Sequence, residues 1–298
     1  MRKFFKYSGI IVSVLLVLYF VMPEAYQEKI LRKVILPYQM IYAMGLEDDI
    51  EPLKKQMNRF YNNSTMHGKQ AYIAHGGGVG ELHYTNSVEA VYDSLKKGFK
   101  FIEIDLLETA DGHLVGGHGW YAIAEMSGIS VERLKKMSLS ELKKLKLKGK
   151  YSILSSQDIK EIMEKHPEMV LVTDIVTNYE LLVKEIPYTD RMIVEVIGGP
   201  YFYKKALEAG IQYPAYSSSD IDVIEKYKFP IIVANAKKIT PDGFKRLETL
   251  HKEGMTILIH NAEICDKVEF IQENLSKTIS LIYTNKWYPL GPSPCSEN

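Results

Sequence analysis

From residue 70 onward the chain alternates short β-rich runs with amphipathic helical patterns, and this alternation limits the fold more than any other feature. The strand candidates are AYIAH (71–75), FIEIDL (101–106), HLVGGH (113–118), MVLVTDIV (169–176), RMIVEVI (191–197), YPAYSS (213–218), PIIVANA (230–236), TILIHNA (256–262) and SLIYTN (280–285). Strands separated by helices pair in parallel, because a long crossover returns the chain to the same end of the sheet. About eight such units in roughly 220 residues predict an α/β fold, a (β/α)8 TIM barrel at the small end of the usual size. Nine candidates compete for eight places. Either HLVGGH is a short hairpin beyond the barrel, or the last run is peripheral.

Two of the intervening helices carry start and stop signals. In NSVEAVYDSLKKG, Asn86 can cap, with Glu89 three residues later; Val88, Val91, Tyr92 and Leu95 form one apolar stripe, and Gly98 stops it. In TPDGFKRLETLHKEG, Thr240 can cap with Pro241 at the first helical position. Phe244, Leu247 and Leu250 face inward there, and Gly254 ends the helix.

The N-terminus has a different texture. MRKFFK is basic, and YSGIIVSVLLVLYFVMP (7–23) carries no charge. As a helix rising about 1.5 Å per residue it reaches about 26 Å. The hydrocarbon core is roughly 30 Å thick, so Phe4 and Phe5 or slight bilayer thinning would complete a span. VMPEAY is a poor cleavage site, so residues 1–23 are expected to form an uncleaved transmembrane signal anchor. A cleaved signal peptide is the rival reading, and a buried soluble helix the third. Arg2, Lys3 and Lys6 precede the span while Lys29, Arg32 and Lys33 follow it, so basic-residue counting gives a weak vote on direction. Short N-terminal anchors more often leave the large C-terminal part outside. The expectation is therefore a single-pass membrane protein with an extracytoplasmic barrel.

Residues 24–69 read as a connector, partly helical, whose segment EKILRKVILPYQMIYAM rests either on the membrane surface or on the main domain. The barrel is expected over 70–290, with a tail over 291–298. Net charge is zero, from 37 basic and 37 acidic residues, which argues against a nucleic-acid partner. Two cysteines, Cys265 and Cys295, neither require nor exclude a disulfide. Asn62, Asn63 and Asn274 fit the N-glycosylation pattern, which matters only in a pathway that glycosylates.

The stretch FIEIDLLETADGHLVGGHGW (101–120) sets carboxylates inside an apolar run. Side chains alternate along a strand, so Glu103 and Asp105 point one way and Ile102, Ile104 and Leu106 the other. The apolar set is expected to pack on helices and the carboxylates to face the barrel axis near its C-terminal end, where barrel enzymes place their chemistry. Unpaired carboxylates there repel each other and are costly to desolvate. A hard divalent cation resolves that cost. Asp174, near the end of MVLVTDIV, extends the pattern, and three carboxylates from two strands can hold one Mg²⁺ or Ca²⁺. The bland alternative is that these acids pair with barrel lysines or arginines.

AHGGG followed by TNSVEAVYDSLKKGFKFIEIDLLETADGHLVGGHGW resembles the glycerophosphodiester phosphodiesterase family. The matching features are His75 in a turn, Asn86 at a helix start, the Glu103–Asp105 strand, TADGHLV from Thr109 to Val115, and His118. IHNAE and IYTNKWYP are similar to the family's last two strand ends. The resemblance covers about residues 71 to 289. It implies a phosphodiesterase barrel with metal held by Glu103, Asp105 and Asp174, and His75 with His118 as the acid–base pair. It also implies a phosphodiester small molecule or lipid head group as substrate.

The departures from the family concern charge. Gly76 stands where the family usually has Arg, Val176 where it often has Lys, and Gly119 where it usually has Asp. The sphingomyelinase D branch is similar in its His-Gly pair and in an Asp third ligand, so a lysophospholipid substrate stays open. A non-catalytic barrel that binds a phosphorylated ligand or a partner is the alternative from another class.

GGGVG lacks the P-loop lysine and the dinucleotide spacing; Gly76 and Gly77 are read instead as letting backbone N–H groups approach a phosphate. Glu195 and His260 are candidates to touch substrate. His113 reads as structural and His251 as solvated.

Overall fold

The computed structural model of the chain describes residues 72–261 and 279–285. Eight strands form the barrel: β1 (Tyr72–Ala74), β2 (Phe101–Glu108), β6 (Val170–Asp174), β7 (Met192–Val196), β8 (Tyr213–Ser217), β9 (Ile231–Asn235), β10 (Thr256–His260) and β11 (Leu281–Thr284). Each pairs in parallel with the next, and β1 pairs with both β2 and β11, which closes the sheet. Closure removes the edges that an open sheet would leave unpaired.

The ninth candidate is a hairpin. β3 (Leu114–Gly116) lies antiparallel to the end of β2, with Leu106 opposite Gly116 and Glu108 opposite Leu114. SLIYTN is not peripheral, because β11 is the strand that joins β10 to β1. The hairpin has its own small core. Leu107, Val115, Ile123, Leu134, Met137, Leu142, Leu147 and Ile153 are buried together. They come from β2, β3 and a following stretch with helices α2 (Trp120–Ser127), α3 (Val131–Leu134) and α4 (Leu139–Leu142), and a two-strand ribbon, β4 (Lys146–Leu147) with β5 (Tyr151–Ser152). The strand–helix alternation does not predict this excursion.

The outer layer consists of α1 (Val88–Lys96), α5 (Ser156–Lys165), α6 (Tyr179–Glu185), α7 (Pro200–Glu208), α8 (Ile221–Tyr227) and α9 (Pro241–Lys252). α9 starts as its sequence predicts. The Thr240 hydroxyl accepts from the Gly243 N–H at 3.1 Å, Pro241 takes the first turn, and Phe244, Leu247 and Leu250 are buried. Full burial of each such side chain stabilises the fold by roughly 1.5–3 kcal/mol.

α1 departs from expectation. Its cap is Ser87, whose Oγ accepts from Ala90 N–H at 3.2 Å. Glu89 does not close a capping box; it accepts from the Ser152 N–H and hydroxyl at 2.7 and 2.8 Å. Tyr92 is 42% exposed rather than part of the buried stripe, while Val91 is buried and Val88 and Leu95 pack on the core. The expected anchor (1–23), connector (24–69) and tail (291–298), both cysteines and all three glycosylation patterns lie outside the described residues. Among the described residues no helix is long and apolar enough to cross a membrane.

Candidate active site

Parallel register builds the site. Asp105 on β2 lies beside Asp174 on β6, and Glu103 lies beside Val172. Neighbours at one level of a sheet point the same way, so the alternation that turns Ile102, Ile104 and Leu106 outward brings the carboxylates together. Carboxylate oxygens of Glu103, Asp105 and Asp174 all lie within 4.8 Å of one another. Thr173 pairs with Val194, so the next residue of β7, Glu195, joins them at the same level. Its carboxylate accepts a hydrogen bond from the Tyr283 hydroxyl of β11.

Each carboxylate is held differently. Glu103 Oε2 accepts from the Gly76 N–H at 2.6 Å. Burial and then the charge of Asp105 push Glu103 well above the usual carboxylate range, and that N–H only partly offsets them. Asp105 Oδ2 accepts from Asn86 Nδ2 at 2.7 Å, and its Oδ1 pairs with His118 Nδ1 at 2.7 Å. Burial raises Asp105, but His118, Asp174 and Asn86 outweigh it and leave the group below its ordinary value. Asp174 is pushed well up by burial, then by the charges of Asp105, Glu103 and Glu195. Glu195 rises to about 7, chiefly by burial and then by Asp105, against the hydrogen bonds from Tyr283 and Ser217.

Among the described residues, the buried side-chain polar atoms without a hydrogen-bond partner are Asp174 Oδ1 and Asn285 Oδ1. A desolvated carboxylate oxygen with no donor, inside a cluster of like charge, fits a hard cation that takes oxygen ligands. Glu103, Asp105 and Asp174 are the residues that could hold one.

The histidines flank this cluster. His75 follows β1 directly, and its Nε2 lies 3.1 Å from the Tyr84 hydroxyl. Burial is the main cause that lowers His75 to about 4; Asp105 opposes it, and His260 and His118 reinforce it. The imidazole is therefore neutral at pH 7, and the tautomer decides whether the phenol or Nε2–H is the donor in that pair. His118 stands where β3 turns back, fixed by Gly117 N–H on the Asp105 carbonyl at 2.9 Å. Its side chain is 49% exposed at the mouth. Tyr84 packs between them, with ring centroids 4.5 Å from His75 and 5.3 Å from His118.

The other expected residues divide. His260 ends β10 beside this group, its ring 6.2 Å from that of Tyr283, which in turn lies 5.5 Å from His75. Burial, with Lys238 and Lys237, lowers His260 to about 4. Gly76 commits its N–H to Glu103. Gly77 packs tightly, since a Cβ there would sit 3.3 Å from Ala90 Cβ and Ile104 Cδ1. His113 is structural, as expected, with Nδ1 2.6 Å from Glu185 Oε1. His251 is half-buried and bonds the Met255 carbonyl at 2.8 Å, so it is not simply solvated.

Sequence reasoning missed Tyr84 and Tyr283, and misassigned Asn86. For Tyr283 the signal was available, because it is an inward position of the last strand. Tyr84 lies in a loop without periodicity.

The profile of the glycerophosphoryl diester phosphodiesterase family matches residues 75–225, just over half of the 298 residues. The chain belongs to this family. It is accordingly a phosphoric diester hydrolase. The span matched to the phosphodiesterase family contains His75, Glu103, Asp105, His118, Asp174 and Glu195, while His260 and Tyr283 lie beyond it.

Solved structures share the barrel. A glycerophosphoryl diester phosphodiesterase from Parabacteroides distasonis aligns with TM-score 0.61 and 18% identity, over 78% of this chain and 88% of that one. A phosphodiesterase from Oleispira antarctica, in complex with the product sn-glycerol-3-phosphate, aligns with TM-score 0.59 and 15% identity, over 76% and 95%. The glycerophosphodiester phosphodiesterase of Thermotoga maritima aligns with TM-score 0.57 and 18% identity, over 74% and 96%. No curated protein matches the chain.

Proposed function

We propose that this phosphodiesterase hydrolyses a glycerophosphodiester with a divalent cation, Mg²⁺ or Ca²⁺, held by Glu103, Asp105 and Asp174, and with His75 and His118 as its acid–base pair. The observation that carries this reading is the convergence of both histidines on one buried carboxylate cluster at the C-terminal mouth of the barrel. A cation bound there supplies positive charge against a non-bridging phosphate oxygen.

The chain's own residues handle the protons. His75, neutral at pH 7, accepts the proton of the attacking hydroxyl, whether from water or from the substrate's adjacent alcohol. As the new O–P bond forms, the opposite P–O bond breaks, and the leaving alkoxide takes a proton from His118. The Asp105 carboxylate on His118 Nδ1 favours the imidazolium needed for that role. Attack by the adjacent alcohol yields a cyclic phosphate first, which water then opens with the two histidines exchanging roles. Glu195 and His260 are read as the substrate's surroundings, while Gly76, whose N–H goes to Glu103, and Gly77, packed on Ala90 and Ile104, form the turn that follows His75.

The product complex of the Oleispira relative supports a small glycerophosphodiester as substrate. The apolar run 7–23 supports a single-pass tether, with residues 70–290 as an extracytoplasmic barrel acting on soluble diesters or lipid head groups.

The test is turnover of glycerophosphocholine by the full chain with Mg²⁺, Ca²⁺ or chelator. Release of sn-glycerol 3-phosphate that stops on chelation is expected. Turnover that survives exhaustive chelation overturns the metal site, and no turnover across a panel of glycerophosphodiesters overturns the substrate class. For the tether, sedimentation with membranes that is lost on deleting residues 7–23 is expected; unchanged sedimentation removes the anchor.

A further inference from the structure

The loop between β1 and α1 brings Tyr84 between the two histidines. Asn86 N–H bonds the Gly76 carbonyl at 2.9 Å, and Gly80 N–H bonds the Asn285 carbonyl at 2.8 Å, so the loop's two ends are tied to each other and its middle to the residue after β11. Gly76 and Tyr84 meet backbone to backbone. A Cβ on Gly76 would lie 2.6 Å from Tyr84 Cα and 2.8 Å from its N. No volume is left for a side chain at position 76, and the ring beside His75 is that of Tyr84. Both residues occupy the left-handed region, with φ of 59° and 57°. For an aromatic residue that conformation is strained and persists only where surrounding contacts enforce it. The contacts that follow from it are the 3.1 Å hydrogen bond to His75 Nε2 and the ring packing on both imidazoles.

We propose that Tyr84 is a positioning residue of the phosphodiesterase reaction: its hydroxyl holds the Nε2 lone pair of His75, and its ring sets the spacing and tilt of the His75 and His118 imidazoles. The proposal rests on the reading of His75 as proton acceptor. With the phenol as donor, Nδ1 carries the ring proton and Nε2 is the basic nitrogen. When the substrate hydroxyl arrives, it takes the phenol's place at Nε2. The proton then moves from substrate oxygen to Nε2, and Tyr84 keeps its own. The role differs from that of a phosphate-binding cation: it prepares one tautomer and one orientation before substrate enters.

The test is Tyr84→Phe in the full chain, which keeps the ring and removes the hydroxyl. Two readouts are taken: steady-state kinetics on glycerophosphocholine, and ¹⁵N NMR of histidine-labelled protein with His75 assigned through His75→Ala. The expected result is a His75 ring that is mainly the Nδ1–H tautomer in the wild type and a mixture in the variant. With it, kcat falls about 10- to 100-fold, as expected for a misaligned proton acceptor. KM should stay within about twofold, because no ground-state substrate contact is removed. Melting temperature checks that the fold is kept. Unchanged His75 nitrogen shifts overturn the proposal whether or not kcat falls, because a loss without them arises elsewhere; so does an unchanged kcat. If the wild type turns over no glycerophosphodiester while Tyr84→Phe still shifts the His75 tautomer, the substrate reading fails and the positioning geometry stands.

Discussion

Asp105 serves two neighbours at once. One oxygen pairs with His118 and the other with Asn86, and the same carboxylate closes the cluster with Glu103 and Asp174. Surroundings rather than residue type separate these acids: Asp105 is lowered by its donors, while Glu103 and Asp174 are raised by burial and mutual repulsion. His75→Ala and His118→Ala should each lose turnover by roughly 10²–10⁴-fold with the fold intact, the usual contribution of a general acid or base. Near-normal rates in either folded variant would remove that residue from the chemistry. Glu195 offers a stability test with a definite sign. Its folded-state value of about 7 lies above the ordinary 4.5, so the unfolded chain ionises first as pH rises. Metal-stripped protein should therefore lose stability between pH 4.5 and 7, by up to roughly 3 kcal/mol from this group. Glu195→Gln should flatten that loss in urea melts at pH 5 and pH 8. An identical pH slope in the variant would show that Glu195 is not the group responsible.

At the scale of elements, the start of α1 divides its labour between adjacent residues. Ser87 caps the helix, and Asn86 turns into the barrel, where Oδ1 accepts the Asp105 N–H at 3.0 Å and Nδ2 donates to its carboxylate. Ser87→Ala should cost about 1 kcal/mol in urea unfolding, as lost caps do, with turnover retained. Asn86→Ala should instead depress turnover, because Asp105 loses the donor that orients it. Equal kinetic defects in the two variants would mean that helix position, not the Asp105 contact, matters. The β2–β3 hairpin has a similar purpose: its return carries His118 back over the strand that bears Asp105, and its small core stiffens that return.

For the whole molecule, a closed barrel converts neighbouring strand ends into one mouth, and it gathers negative charge there. A cation that binds this folded mouth and not the unfolded chain must stabilise the fold, by about 2.7 kcal/mol at a hundred times its Kd. Calorimetry with Mg²⁺, Ca²⁺ and Mn²⁺ should show a raised melting temperature in the wild type, shrinking as pH falls and the carboxylates take up protons. Asp174→Ala should abolish that response. Without metal, Glu103→Gln should melt higher than the wild type at neutral pH, because a raised acid is a burden once the unfolded chain would ionise it. The same metal response in Asp174→Ala as in the wild type would exclude a three-carboxylate site.

Periodicity and composition were enough for the barrel, for the inward direction of Glu103 and Asp105, and for the start of α9, because each depends on residues close together in the chain. Alternation is a local property of a strand, and Thr240 with Pro241 is a local cap. The place of HLVGGH depended on which strand closed the barrel, and that is decided by pairing between β1 and β11, some 200 residues apart. The cap of α1 went to Ser87 because Asn86 found a partner on β2, a competition that no local pattern contains. Glu195 and Tyr283 meet only across the barrel, and Tyr84 reaches the histidines only because a glycine without a side chain lets its backbone approach. Local sequence determined which side chains face inward; tertiary closure decided which of them meet, because a hydrogen bond or a shared charge forms only between groups a few ångströms apart.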